Sequence, residues 1–412
     1  MLVWILQTGE PLHIDDKIIR QMRAINLSNK LLDAGHSVVL WSSAFDHQNK
    51  IHRSNNYKVI KINNNLEVRL IPSRGYSRHI GFERLFDHGQ MAWNLRKLLK
   101  IEKSIPDVAF IGYPPIETAF IMSSWLKRKN VPTLLDIKDL WPSIFLEIFP
   151  KFLKPFVRVL LNPYYNLAKR TMREVDGISA VSESFLKWSL TFANKSSGPF
   201  DTITRLTTVK PKSDKNNLIA IDKYWQKLNI KSGAPKVFFI GTFSTGFDFD
   251  HICSAAEIIK ECQFVLCGNG PRLDEIKKKM RHLPNVMFPG WIDQSQLEVL
   301  ANMSIASIAP YKNIQNFTLN IPNKIIDSLS LGVPILSPLK GEVASMIKKN
   351  NIGITYDSNT ALIECINSLI NNNFLQKKMS KNARMLYEKE FNFDNVYNKL
   401  VEHLENMAFT KN

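Results

Sequence analysis

Short apolar runs recur along the chain, and longer amphipathic stretches separate them. The first run, Leu2–Gln7, reads as a buried strand. The loop Thr8-Gly-Glu-Pro11 follows it. An amphipathic stretch from Lys17 to Ala34, closed by Gly35, predicts a helix, and His36–Ser42 predicts the next strand. This βαβ opening places Gly9 and Glu10 at the carboxyl end of a strand. Further strands are expected at Leu66–Ile71, Asp107–Gly112, Pro132–Ile137, Gly177–Val181 and Ile203–Lys210. Helices are expected between them at Glu83–Ile101, Ile116–Lys129, Leu153–Val175 and Ser184–Phe192.

After a polar connector the alternation restarts. Val237-Phe-Phe-Ile-Gly241 predicts a buried strand, then a helix near His251–Glu261, a strand Gln263–Cys267 and a helix Pro271–His282. A strand at Asn285–Phe288 and a helix at Gln294–Asn302 come next, then an apolar run Ser304–Ala309. The stretch Ile321–Leu336 follows. Pro322 suits a first helical turn, Gly332 suits the residue just past the last turn, and Pro334 forbids continuation. A strand at Val333–Ser337, one at Ile354–Tyr356, and helices at Thr360–Ile370, Leu375–Glu388 and Phe391–Met407 complete the chain. The pattern divides into a first α/β domain at 1–212, a linker at 213–235, a second α/β domain at 236–390 and a final helix at 391–412. Two such domains with a cleft between them is the economical architecture.

Within Ile321–Leu336, Lys324 changes the picture. A cation in a first helical turn opposes the positive end of the helix dipole. An anionic ligand at that end reverses the sign, because the free backbone N–H groups already attract one. Asp327 lies at i+3 from Lys324 and i+4 from Asn323, so the three share a face. A lysine for phosphate and a carboxylate for a sugar diol suit a nucleotide sugar; an exposed Lys–Asp helical pair is the other reading.

Composition narrows the class. At 412 residues, two domains are expected. Apolar content of 44% and charged content of 22% are those of a globular protein. Met1–Gln7 is too short for a secretory leader and no run reaches the ~18 apolar residues of a spanning helix, which predicts a cytosolic chain. Cys253, Cys262, Cys267 and Cys365 show no CxxC spacing and read as buried, reduced thiols; no metal site is expected. The net charge of +17 implies acidic partners. No helix-turn-helix, finger or RNP-type motif is present, so nucleic acid is not the expected partner.

Seven motifs now fall in order: Ile5-Leu-Gln-Thr-Gly-Glu-Pro11, Leu135-Asp-Ile-Lys-Asp-Leu-Trp-Pro142, Ala180-Val-Ser-Glu183, Phe239-Ile-Gly-Thr242, Val265-Leu-Cys-Gly-Asn-Gly-Pro271, Val286-Met-Phe-Pro-Gly-Trp291 and Ile321–Leu336. Together they resemble the family 4 glycosyltransferases of the GT-B type, in the O-antigen and capsule branch beside the N-acetyl-L-fucosamine transferases. The resemblance implies two doubly wound Rossmann-like domains facing a central cleft, with a C-terminal helix crossing back to the first. It implies transfer of an N-acetylated hexose derivative, with retention and without a metal or other cofactor. The donor would be a UDP-sugar. The acceptor would be a polyprenyl-diphosphate-linked saccharide at the inner face of the cytoplasmic membrane.

Carried over by position, Asp327 matches the second acid of the family's Glu-x7-Glu motif, which meets the ribose hydroxyls. Asn323 and Lys324 would meet the diphosphate, and Gly290 and Trp291 the base. Gly241 and Thr242 would face the donor phosphates, and Gly268, in a tight turn, is a further nucleotide-sugar-binding candidate. Gly9 and Glu10 fall in the first-domain loop over donor and acceptor, and Lys138 and Asp139 in a cleft loop after a buried strand. Lys324, Glu10, Lys138 and Asp139 are the candidate catalytic groups. Asp15 and Asp87 are further carboxylates near the expected cleft, and His13 and His88 are the histidines to test. The chain departs from the family pattern in three places. The first acid of Glu-x7-Glu falls at Leu319. Thr242 and Thr245-Gly246 replace an Arg and a Lys-Gly pair. Lys138 replaces the usual His. The same resemblance leaves room for a sugar-nucleotide epimerase of this fold or a catalytically silent nucleotide-sugar-binding partner.

Two signals stand apart. Asp248-Phe-Asp250 matches a metal-binding Asp-x-Asp, but before a helix at His251 its acids suit a helix start. Residues 149–173 interleave aromatics with Lys151, Lys154, Arg158, Lys169, Arg170 and Arg173. This suits either a helix on an anionic inner-membrane surface or a helix packing Phe152, Phe156, Leu160 and Tyr164 on the core.

Overall fold

The computed structural model describes residues 1–15, 21–77, 81–209, 221, 223–230 and 233–410. The chain forms two compact units: Met1–Thr204 with Val396–Asn412, and Arg205–Asn395. Much of the expected linker (213–220, 222, 231 and 232) lies outside the described residues, as does the start of the expected first helix at 16–20.

The first unit is built on eight strands: β1 Leu2–Leu6, β2 Ser37–Ser43, β3 Lys58–Asn63, β4 Leu66–Ile71, β5 Val108–Tyr113, β6 Thr133–Ile137, β7 Gly177–Ala180 and β8 Thr202–Ile203. Their order is β8-β7-β6-β5-β1-β2-β4-β3. β1 lies inside the sheet, with Val3 opposite both Val38 and Val108. Its residues Val3–Leu6 are at most 2% exposed, which is why it reads as a continuous apolar run. Within this sheet only the β3–β4 pair is antiparallel; a separate two-stranded antiparallel sheet joins Phe45–Asp46 to Ile51–His52. β3 is the outer strand, with Lys58 and Lys61 exposed, so it lacks the apolar run that announces the others.

Two expectations for this unit need correction. Leu153–Val175 is not one helix but two, Lys154–Leu160 and Asn162–Glu174. Pro163, in the first turn of the second, has no N–H to continue the first. The strand expected at Ile203–Lys210 pairs only over Thr202–Ile203, and its last residue is outside the described set.

The second unit carries β9 Lys236–Ile240, β10 Gln263–Cys267, β11 Val286–Gly290, β12 Ala306–Ile308, β13 Ile335–Ser337 and β14 Gly353–Thr355. The order is β11-β10-β9-β12-β13-β14, parallel throughout. Its core includes a knot of aromatic rings, with Phe239 5.0 Å from Phe249, 5.3 Å from Phe243 and 5.4 Å from Phe247. Helix Asn323–Leu331 joins β12 to β13, buries Ile325, Ile326 and Leu329, and ends at Gly332. The final helix, Phe393–Thr410, returns the chain to the first unit, where Tyr397, Leu400, Val401, Leu404 and Met407 are buried. Among the described residues no helix is long and apolar enough to cross a membrane.

Candidate active site

In the second unit the loops after β9, β10 and β11 converge at the carboxyl ends of adjacent parallel strands, where ligands of open α/β sheets bind. The Gly241 N–H donates to the Cys267 carbonyl at 3.0 Å, and the Gly268 N–H to the Gly290 carbonyl at 2.7 Å. Two glycines are required by this closeness. A Cβ at Gly268 would fall 1.9 Å from the Gly241 carbonyl oxygen. Gly241 has φ +139, and a Cβ there would fall 1.7 Å from the Lys324 ammonium. Lys324 therefore reaches from its helix to lie on the backbone at the end of β9.

The local sequence explains that reach. Pro322 is the N-cap, so Asn323 and Lys324 stand in the first turn of the helix. The Lys324 ammonium lies 5.3 Å from the Phe239 ring and 5.0 Å from the Phe247 ring, a distance at which aromatic faces attract a cation. Asp327 is half-buried on the same helix face. Burial, then the Asp327 carboxylate, pushes the neighbouring Tyr311 hydroxyl far above its ordinary pKa, while a backbone hydrogen bond from Lys324 opposes them. Lys324 thus meets the linked turns at Gly241, Gly268 and Gly290, with Asn323 and Asp327 on the same helix. Thr242 is exposed beside Gly241, and the Trp291 ring, after Gly290, is 75% exposed. Leu319 caps the short helix Gln315–Thr318.

In the first unit Glu10, after β1, meets Lys138, after β6. Lys138 forms an ion pair with Glu10 Oε1, and Gln7 Nε2 donates to the same oxygen at 2.8 Å. The other oxygen accepts the Ala24 N–H at 2.8 Å, so Glu10 caps the helix Arg23–Asp33 from a distant loop. Burial acts to raise the Glu10 pKa, but Lys138 and the Ala24 N–H outweigh it and hold the carboxyl below its ordinary value. Gly9 is exposed next to it, and Asp139 is half-buried next to Lys138. No sequence pattern announces the adjacent buried pair, in which Arg23 meets Asp136 at 2.5 Å and also donates to the Thr204 carbonyl at 2.8 Å. The partners are 113 residues apart, and a lone Asp in an apolar strand carries no label for its mate.

The remaining candidates have structural partners. Asp15 binds Arg53 at 2.5 Å, and Asp87 accepts the Gly75 N–H at 2.7 Å. His13 meets Asn29 at 3.1 Å. His88 is buried beside Trp141, and burial pushes its imidazole down to about 3. Asp248 accepts the Asp250 N–H at 2.9 Å at the start of helix Asp250–Ile258, as its place before that helix predicted. No cluster of metal-ligating side chains exists among the described residues.

Residues 220–386 match the family model described as Glycosyl transferases group 1. The whole chain is similar in fold to sucrose-phosphate synthase from Thermosynechococcus elongatus, at 15% identity and a TM-score of 0.74 over 100% of both chains. HepE of Anabaena, solved with UDP-glucose, is 13% identical with a TM-score of 0.64, over 98% of this chain and 100% of HepE. WaaG, a glycosyltransferase involved in lipopolysaccharide biosynthesis, is 12% identical with a TM-score of 0.65, over 98% of this chain and 99% of WaaG. No curated protein matches the chain by sequence. The solved structures show the fold, and the family model matches a segment of the second unit. Residues 220–386 are of the group 1 glycosyltransferase type, and the chain as a whole has the two-domain GT-B fold of these structures.

Proposed function

We propose that the chain transfers an N-acetylated hexose from a UDP-sugar to a polyprenyl-diphosphate-linked saccharide during surface polysaccharide (O-antigen or capsule) synthesis. The observation that carries this reading is the Lys324 ammonium lying on the Gly241 backbone at a strand end. A nucleoside diphosphate leaving group needs positive charge where negative charge develops. Lys324, the backbone N–H groups near Asn323 and the open turns at Gly241, Thr242 and Gly268 supply it. Asp327 receives the ribose hydroxyls, and Gly290 and Trp291 hold the base, the exposed indole stacking on it. HepE, a structural neighbour, binds UDP and UDP-glucose, which favours uracil as that base.

In the reaction the bond from the anomeric carbon to the diphosphate breaks, and a bond from the acceptor oxygen forms on the same face. The acceptor proton passes to the departing phosphate. Gly9, Glu10, Lys138 and Asp139 form the acceptor side, where the Lys138–Glu10 pair fixes the loop after β1. The acceptor's lipid places the reaction at an anionic inner-membrane surface, toward which the segment 149–173 brings Lys151, Lys154 and Arg158.

Thermal shift with UDP, GDP, UDP-sugars and GDP-sugars tests the donor site. UDP is expected to raise the midpoint of the wild type by mass action and to fail with Asp327→Ala. Stabilisation by GDP alone, or an undiminished shift in the variant, sinks the assignment. UDP-sugar turnover without acceptor would instead make the chain an epimerase.

A further inference from the structure

Six apolar side chains within twelve residues of the first unit stand in solvent. Phe152 is 79% exposed, Phe156 71%, Val159 74% and Leu160 68%, and Phe149 and Leu153 are each 38% exposed. They occupy the turn before helix Lys154–Leu160 and the helix itself. Their spacing of three and four residues gathers them into one stripe. Val157, at the flank of this stripe, is buried and fastens the helix to the unit. The core-packing reading of Phe152, Phe156 and Leu160 is therefore wrong; Tyr164, half-buried, fits it better.

The cations of this region divide the same way. Arg170 pairs with Glu174 at 2.7 Å, and Arg173 donates to the Ala193 carbonyl, so both are tied to the unit's body. Lys151, Lys154 and Arg158 accompany the apolar stripe. No Asp or Glu occurs from Phe149 to Arg173. This combination selects the occupant. An acid-free cationic face repels a second copy of itself. A nucleic acid would use the cations and leave the apolar stripe in water. An anionic lipid interface satisfies both, with apolar groups below the headgroups and cations among them.

We propose that residues 149–160 insert this stripe into the headgroup and acyl boundary of an anionic bilayer, about 5–10 Å deep. The first unit is thereby held at the surface where a lipid-linked acceptor lies; this rests on the acceptor reading given above. The active part is the short helix, and attachment is by insertion as well as by charge.

The test is flotation of the full chain with phosphatidylcholine vesicles, with or without about 30% phosphatidylglycerol. It is run in about 0.1 M and about 1 M NaCl, where the Debye length falls from about 10 to about 3 Å. The wild type is expected to float with anionic vesicles and to keep a bound fraction in high salt. Phe152→Ser/Phe156→Ser/Leu160→Ser is expected to bind about tenfold less at both salts, because each lost apolar group removes part of the transfer free energy. Lys151→Glu/Lys154→Glu/Arg158→Glu is expected to lose binding in low salt. Serine variants that float within about twofold of the wild type would overturn the proposal. So would wild-type binding abolished by salt, or a wild-type dimer that the serine variant dissolves. A UDP-induced midpoint shift retained in both variants shows that they are folded and reports on the donor reading separately.

Discussion

A lysine in a first helical turn sits against the positive end of the dipole, and Lys324 does so with its ammonium between two aromatic rings and the Gly241 backbone. Lys324→Ala is expected to lower kcat/KM for the donor by about 10–100-fold, the size of one charge-assisted hydrogen bond. Donor-saturation kinetics measure it. Gly241→Ala separates site from fold. Its Cβ would displace only the mobile end of Lys324, while φ +139 adds about 1–3 kcal/mol of strain. Donor affinity should fall about tenfold, and the melting temperature by only a few degrees.

Glu117 offers a pH test. Its carboxyl is buried, accepts the Tyr164 hydroxyl at 3.3 Å, and is pushed up to about 7 by that burial. The folded state thus holds a proton that the unfolded chain releases near 4.5. Stability is lost as pH rises through the window from about 4.5 to 7. Glu117→Gln should flatten that part of a denaturant-midpoint profile against pH. At the residue scale, Lys324 was legible because it contradicts its position. Glu10 was legible as a loop carboxylate, but its role as a remote cap for Ala24 was not. Capping by a residue outside the helix leaves no pattern in the helix's own sequence.

Elements announce themselves when one face is buried throughout. β1, β9 and β10 are continuous apolar runs and were legible at once. β3 was not, because an edge strand with outward lysines resembles a loop. The break at Pro163 was hidden by a cation pattern that runs smoothly across it, and the chemistry of proline prevailed. The helix Gln294–Asn302 shows what a local signal can fix. Asp293 accepts the Gln296 N–H at 2.8 Å, and the Gln296 side chain accepts the Asp293 N–H at 2.9 Å. Asp293→Ala removes one side of this reciprocal cap and should destabilise the chain by about 1 kcal/mol in urea unfolding.

Across the whole molecule, the last helix belongs to the second unit's chain but the first unit's core. Truncation after Asn395 removes Tyr397, Leu400, Val401, Leu404 and Met407 from burial. The first unit's thermal transition should drop or vanish, while the UDP-dependent shift of the second persists. A common loss of both would show that the units do not melt separately. The repeated α/β alternation made this two-part design legible, because each unit buries its own parallel sheet. The exposed apolar stripe at 149–160 was only half legible, since periodicity marks an amphipathic helix without saying which face meets water.

The thiols carry a consequence of their own. Cys253, Cys262, Cys267 and Cys365 are all buried, and all lie in the second unit; the first has none. Burial pushes Cys365 up to about 11 and Cys262 up to about 12, and raises Cys253 and Cys267 as well. The native chain is therefore expected to react slowly with maleimides. Each adduct records a moment when the second unit has opened, so pulsed alkylation read by mass times the breathing of that unit alone, with no engineered label.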